Sequence, residues 1–431
     1  MVQAKSFTRV VIITGSLLLC FSANSNAEEL TDPAELDRQF TRGLEALEND
    51  ELATARKAFQ NILNVSPSLH RARVELARAY YLSMDYDKAR AATQKVLDDP
   101  NTPPKVRTTL LAFLAQIDED ERQFSDRHRW TPSIYLGAMY DSNVNVGPDR
   151  DVIEIGGTPF ELTEDSRETS DTAAVINAGI AHTYNPGNTF SVAEHSGFFL
   201  WQSQLNAYYR RYIDENEFDL GVLTARTGPA WVVPRHWRAA IGLQVDKVWL
   251  GEEGLAVFYT LNPNATWEFG DNWELTVDGV VTQREYDDEV DEERDGLYTS
   301  GLVQLDRFFN RREWTLQAGV GYSNFDADGD RFSYTAPDVF LGLIWQAWNN
   351  GSVYARAAWR NYDYDGEEPG FEESRDDDEF RYSLGFQHDF QGGLLNQWQL
   401  LGNWVHTDNQ SNVDIFEYDR DQVSLGLARS F

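Results

Sequence analysis

The chain has 431 residues, with 70 acidic against 37 basic side chains and a formal net charge of −33. A surface of that sign repels nucleic acid and excludes it as a partner. The length allows two or more domains.

Taken in chain order, the sequence opens with Lys5 and Arg9, an apolar run from Val10 to Phe21, and the small-residue site Ser25-Asn26-Ala27. This predicts a secretory signal over residues 1–27, cut before Glu28. Cys20 invites a lipoprotein reading, but Leu17-Leu18-Leu19 lacks the small residue that such processing requires just before the cysteine. After cleavage no cysteine is expected, so disulfides, thiolate zinc sites and a cysteine nucleophile are excluded. No other segment approaches the roughly 20 uninterrupted apolar residues of a membrane helix, and the mean hydropathy is −0.51. A membrane crossing would have to use strands, which suits an aromatic content of 13%.

Residues 28–126 read as a helical domain, with helical apolar spacing from Asp37 to about Arg122. Ala55 and Ala89 lie one tetratricopeptide period apart, about 34 residues. Gly43, Ala55, Phe59 and Pro67 occupy that repeat's usual places in the first copy, and Leu76, Ala77, Tyr80 and Ala89 do so in the second. The second copy departs at Thr93, where a large apolar residue is commoner, and at Pro100, one position early. After Pro103-Pro104, the stripe Leu110, Leu111, Phe113, Leu114 and Ile117 predicts a sealing helix. By repeat spacing, Arg71, Val74, Arg78 and Tyr81 face the concave groove in which such repeats hold extended peptides, unless the arginines simply pair with Glu75 and nearby acids.

From Trp130 to Phe431 the apolar period becomes two. In the last segment Val423, Leu425, Leu427 and Phe431 share one face, while Gln422, Ser424, Gly426, Ala428 and Ser430 share the other. An apolar-out, small-or-polar-in strand is what a lipid-facing barrel wall needs. Arg429 breaks the apolar face near the end, where it can snorkel. Short connections around Pro186, Pro234 to His236, Gly270 to Asn272, Asn310 to Arg312, Asn349 to Gly351 and Gly392-Gly393 alternate with longer, acidic ones. The acidic set includes Asp141 to Asp171, Asp287 to Asp295, Asp326 to Asp330, Asp363 to Asp378 and Asp408 to Glu417. Seven long connections and six short ones give fourteen strands over residues 127–431. An even count returns the chain end to the side of the helical domain, placing short turns in the periplasm and long loops outside. Trp130, Trp237, Trp273, Trp314, Trp348 and Trp398 fall near the short turns as an expected aromatic girdle. A soluble sandwich or propeller accounts for neither the sorted turns nor the terminal aromatic. The fold class is therefore α followed by all-β, an α-solenoid of tetratricopeptide repeats before a 14-stranded antiparallel transmembrane β-barrel.

No catalytic set emerges. The histidines 70, 128, 182, 195, 236, 388 and 406 show no metal-ligand spacing, and neither a Gly-x-Ser-x-Gly elbow nor a phosphate loop occurs. Asp326-Ala327-Asp328-Gly329-Asp330 has alternating carboxylates that could ligate calcium but lacks a downstream bidentate glutamate, so a solvated loop tip is preferred. No metal or cofactor is expected, and no enzymatic role. A barrel of fourteen strands is wide enough for an interior pathway, which makes transport the default expectation.

The stretches Arg71-Ala72-Arg73-Val74-Glu75-Leu76-Ala77-Arg78-Ala79, Asp85-Tyr86-Asp87-Lys88-Ala89 and Pro103-Pro104-Lys105-Val106, then Trp130 and Tyr140-Asp141-Ser142-Asn143-Val144-Asn145, resemble the surface lipoprotein assembly modulator (Slam) family. The order, spacing and terminal Phe431 fit over nearly all of the chain after the signal, with Tyr140 to Asn145 the most specific piece. The resemblance implies an outer-membrane barrel with a periplasmic repeat domain that helps particular proteins reach the surface or the medium. Its implied partners are an exported client protein, the barrel assembly machinery that reads Phe431, periplasmic chaperones and outer-membrane lipid. Two other readings stand beside it, a passive porin and an exopolysaccharide export barrel. An anionic polymer would favour a basic lumen, against the acidity of this chain.

Overall fold

The computed structural model describes residues 33–431 except 50, 156, 164–165, 193–194 and 271. The secretory-signal reading of residues 1–27 lies outside the described residues.

Five helices come first: α1 (Pro33–Glu48), α2 (Leu52–Val65), α3 (His70–Leu82), α4 (Tyr86–Leu97) and α5 (Pro104–Ser125). Proline opens α1 and α5, where its missing N–H leaves no bond unmade. Successive helices pack as antiparallel hairpins. Ala55 and Ala89 are both fully buried. Gly43 is required where α1 meets α2, because a Cβ there would stand 2.7 Å from the Phe59 ring. Around that crossing Phe40, Leu47, Leu52, Phe59, Ile62 and Leu76 form one core, with the Phe40 and Phe59 rings edge to face at 5.6 Å. Thr93 is buried at its unusual position because its hydroxyl donates to the Ala89 carbonyl at 2.8 Å. The expected stripe on α5 is narrower than its sequence suggests. Leu110 and Ile117 are buried, Leu110 with Val96, Leu97 and Val106, whereas Leu111 is 54% exposed.

The strands are β1 (His128–Asp141), β2 (Val152–Ile155), β3 (Thr158–Glu161), β4 (Asp171–Tyr184), β5 (Thr189–Val192), β6 (His195–Tyr212), β7 (Leu220–Val233), β8 (Trp237–Leu250) and β9 (Glu253–Phe269). They continue with β10 (Trp273–Tyr286), β11 (Gly296–Phe309), β12 (Trp314–Ala327), β13 (Tyr334–Trp348), β14 (Gly351–Glu367), β15 (Ser374–Asp389), β16 (Gln399–Ser411) and β17 (Tyr418–Ser430). Neighbouring strands pair antiparallel in sequence order from β6 to β17, then β17 to β1, β1 to β4, and β4 back to β6. The wall is thus a closed barrel of fourteen strands, and the expected count holds. β2 and β3 form a hairpin within the first long loop, while β5 pairs onto the start of β6.

Two loops are shorter than the acidic composition predicts. β14 runs to Glu367 and β15 starts at Ser374, so Asp376, Asp377 and Asp378 lie within a paired strand, and β16 likewise runs to Ser411. Ladder bonds persist there because the carboxylates find partners: Asn361 donates to Asp376 at 2.7 Å and Arg375 pairs with Asp377 at 2.9 Å. The turn read at Gly392-Gly393 spans 390–398. Asn310, Arg311 and Arg312 all adopt left-handed backbone, which turns the chain in little space and sends Arg312 back to Glu274 at 2.9 Å.

Alternation sorts the wall chemically. Leu136, Tyr140, Leu205, Leu243, Val320, Leu341, Leu384 and Leu425 point outward and are exposed. An apolar outer belt on a closed sheet is the wall of a membrane-spanning barrel, since closure leaves no unpaired edge in hydrocarbon. We call the end where α5 feeds β1 and where β17 finishes the entry end, and the opposite one the loop end. Trp237, Trp273 and Trp314 open their strands at the entry end, Trp348 closes β13 there, and Trp314 stacks on Trp345 at 4.8 Å. Arg429 keeps to that end by donating to Gln397 at 3.1 Å and lying over the Phe431 ring.

Gly43→Val should overpack the first helix crossing and destabilise the helical unit by about 1–3 kcal/mol. Thermal melting followed at 222 nm should show an earlier helical transition, with the barrel's heat-resistant gel mobility unchanged.

Candidate functional site

Three places carry polar chemistry: one face of α3, the loop-end rim and the lumen.

On the helices, the four residues expected in the groove divide into two kinds. Val74 packs against the Val96, Leu97, Val106 and Leu110 core, and Tyr81 donates to Asp120 on α5 at 2.5 Å while its ring meets Phe113. Burial, then the bond to Asp120, pushes the Tyr81 phenol well above its ordinary range. These two hold α5 in place. Arg71 and Arg78 remain exposed: Arg71 lies over the Phe40 ring at 4.4 Å, and Arg78 stands 3.8 Å from Glu75. Burial raises the Glu75 carboxyl above the usual range, with Arg78 and Arg71 pulling the other way. The face is therefore cationic at its surface and anchored beneath.

At the rim, Tyr140 to Asn145 leaves β1 and folds over the barrel's closing seam. Tyr140 points outward and Asp141 inward, fully buried. The Asp141 carboxylate accepts both arms of Arg420, at 2.9 and 2.6 Å, and also Gln422 at 2.8 Å and the Tyr212 hydroxyl at 2.9 Å. One side chain thereby ties β1 to β17 and to β6. Ser142 accepts from the Asp421 amide, and its own amide donates to the Asp421 carbonyl. Buried Asn143 donates to the Gly147 and Asp419 carbonyls and accepts from the Gly147 amide. Asn145 spans to the Arg167 carbonyl at 2.6 Å and the Thr169 amide at 3.1 Å, and Val144 packs with Ala173 and Tyr212. The motif is a strand exit in which Asp141, Ser142 and Asn143 bond across the closing seam, while Asn145 holds the loop that follows.

The lumen carries charged side chains of both signs along the wall. Near the entry end Glu274 takes Arg238 at 3.1 Å and Arg312 at 2.9 Å, and buried Asp306 accepts from Gln304 and Gln317. From the middle of the wall to the loop end the inward faces of β10 to β15 carry arginines against rings: Arg356 over Phe340 at 3.6 Å, then Arg284 over Phe325 at 4.4 Å and Arg375 over Tyr364 at 3.8 Å. Sequence reasoning missed this wall. Its signal was present, since these arginines fall on the same alternate positions as the inward residues of their strands.

Among the described residues no cluster of three metal-ligating side chains occurs. The profile of a family described as "Protein of unknown function (DUF2860)" matches residues 273–429, which run from the first residue of β10 almost to the end of β17. No curated protein matches the chain. Among solved structures, a FadL homologue of Pseudomonas aeruginosa is similar at 9% identity and a TM-score of 0.38, over 71% of this chain and 90% of that one. A loop L8 deletion mutant of OmpT, an outer membrane protein of Vibrio cholerae, is similar at 8% identity and 0.39, over 71% and 100%. An anion-selective porin from Comamonas acidovorans is similar at 9% and 0.39, over 70% and 99%.

Asp141→Ala strands Arg420 in a buried position, a change that costs about 3–5 kcal/mol where a buried pair loses one partner. The variant should lose its compact gel mobility at lower temperature than the parent, and Asp141→Asn should fall between them.

Proposed function

We propose that this protein is an outer-membrane translocator or assembly factor. It delivers specific client proteins, surface lipoproteins or soluble secreted proteins, to the cell surface or medium. The observation that carries the reading is a helical unit with an exposed cationic face joined directly to the first strand of a wide, polar-lined barrel. Fourteen strands put both ends of the wall on the side of the short turns, which in bacterial barrels is the periplasm. The helices then stand where an exported chain arrives. The buried Ala55 and Ala89 support a tetratricopeptide reading, and Arg71 with Arg78 supplies the surface for a client or its chaperone. Phe431, outward and exposed, suits recognition by barrel assembly machinery. The Tyr140 to Asn145 exit is the part of the surface lipoprotein assembly modulator resemblance that carries most weight, as architecture rather than client contact. No nucleotide-binding motif occurs, so client folding outside the cell, or handover from the assembly machinery, supplies direction.

A second reading, a passive porin, is favoured by one observation: Arg356 and Arg381 face inward yet are exposed, so solvent reaches them within the barrel. Single-channel conductance and sugar-export assays separate it, and an exopolysaccharide exporter, from a protein translocator.

Co-expression with a genomically adjacent exported protein tests the first reading. Deleting the barrel should abolish surface display or secretion of that client, and Arg71→Glu with Arg78→Glu should reduce it severalfold while the barrel still inserts. Unchanged display in the deletion sinks client delivery.

A further inference from the structure

Near the middle of β14 and β15 three arginines converge on the inward face of the wall. Arg360 lies opposite Glu379 in register, Arg381 opposite Ala358, and Arg356 opposite Ser383. Arg381 thus sits between the other two in height. Two carboxylates serve these three guanidinium groups: Asp338 stands 3.6 Å from Arg360, and Glu379 stands 3.3 Å from Arg381. Among the described residues Arg356 has no ion pair and no hydrogen bond; it stacks on Phe340, itself buried, and is exposed on its other face. The Nε of Arg360 is buried without a partner. Gly342 faces Arg356 from β13, and Ser383 and Ala358 lie beside it, so the free face of Arg356 and the Arg381 side chain border open lumen, while Arg360 lies deeper and donates to the Tyr362 hydroxyl at 3.2 Å. The Arg381 side chain is 51% exposed.

We propose that Arg356, Arg360 and Arg381 form a binding site for a small oxyanion, phosphate or carboxylate in class, part-way along the lumen. A guanidinium offers paired N–H donors that match the spacing of carboxylate and phosphate oxygens. Stacking on Phe340 holds the Arg356 plane and lowers the entropy lost on binding. An anion at this level satisfies donors that the protein leaves open, and the excess of three cations over two anions gives the attraction its sign. Inward arginines placed in this way select for anions in a pore. The site is independent of client delivery, and either can fail while the other stands.

Titration calorimetry of inorganic tripolyphosphate into the full chain in neutral detergent tests the site. Saturable binding is expected, weaker at higher salt, and reduced about tenfold or more by Arg356→Gln or by Arg381→Gln, as expected for loss of a charge-assisted pair. Among the described residues Arg381 lies over no ring, so its replacement disturbs the wall packing less than that of Arg356 does. Arg211→Gln, on the outward face of β6, removes equal charge and should leave affinity unchanged. Absence of binding to the parent protein, or equal weakening by Arg211→Gln, or full affinity in both lumenal variants with their heat-resistant mobility intact, overturns the proposal.

Discussion

Closure of the sheet is the constraint on which everything else rests. In hydrocarbon no water compensates an unpaired N–H or C=O, so a strand wall is stable only when its last edge meets its first. Here that meeting is the pairing of β1 with β17, over nine residue pairs from Ser133–Ser430 to Asp141–Gln422, against fourteen between β14 and β15. The seam is short, and Asp141 reinforces it at the loop end. A carboxylate buried to that degree is tolerable only because four donors from Arg420, Gln422 and Tyr212 converge on it. Specificity follows from the same bonds, since a one-residue slip of β17 would turn Arg420 outward and leave Asp141 without its cation.

Once the sheet closes, side-chain alternation produces two surfaces of opposite chemistry. The outer one needs only to be apolar in the middle and aromatic at its margins, which many sequences satisfy. The inner one is free to hold charge. Acids lie deep near the entry end and are already engaged, Glu274 by two arginines and Asp306 by two glutamines. Arg356 and Arg381, by contrast, are only partly engaged, because glycine, alanine and serine stand beside them. Local residue size, more than local charge, decides which lumenal groups remain uncovered.

The fold was largely legible in the sequence because period-two alternation and turn length follow from backbone geometry. Strand number, the order of long and short connections and the position of the tryptophans near the short turns could all be read without side-chain contacts. The errors came where composition stood in for geometry. Runs such as Arg375 to Glu379 look like loop by charge, yet they are strand, because neighbours across the sheet supply the donors that water would supply in a loop. Leu111 looked like core by type and is surface, since a helix in contact along one side buries only a narrow stripe. On α3, spacing identified Arg71, Val74, Arg78 and Tyr81 as one face but could not separate Tyr81, which is committed to α5, from the two arginines that are not. The rim motif could be singled out by its pattern. Its task of closing the barrel depends on Arg420 and Gln422, nearly three hundred residues away, and no local reading reaches that far.

The lumenal arginines also change how the chain's acidity bears on its cargo. A net charge of −33 argues against an anionic passenger only if the acids line the path. Many of them stand elsewhere, in the long loop-end connections such as Asp287 to Asp295 and on strand ends beyond the apolar belt. Screening at physiological ionic strength limits their reach to about 8 Å, so loop carboxylates act at the mouth, while a solute part-way through responds to Arg356, Arg360 and Arg381. Bulk composition therefore describes the rim of such a barrel, and the selectivity of the path has to be argued from the few side chains that small neighbours leave uncovered.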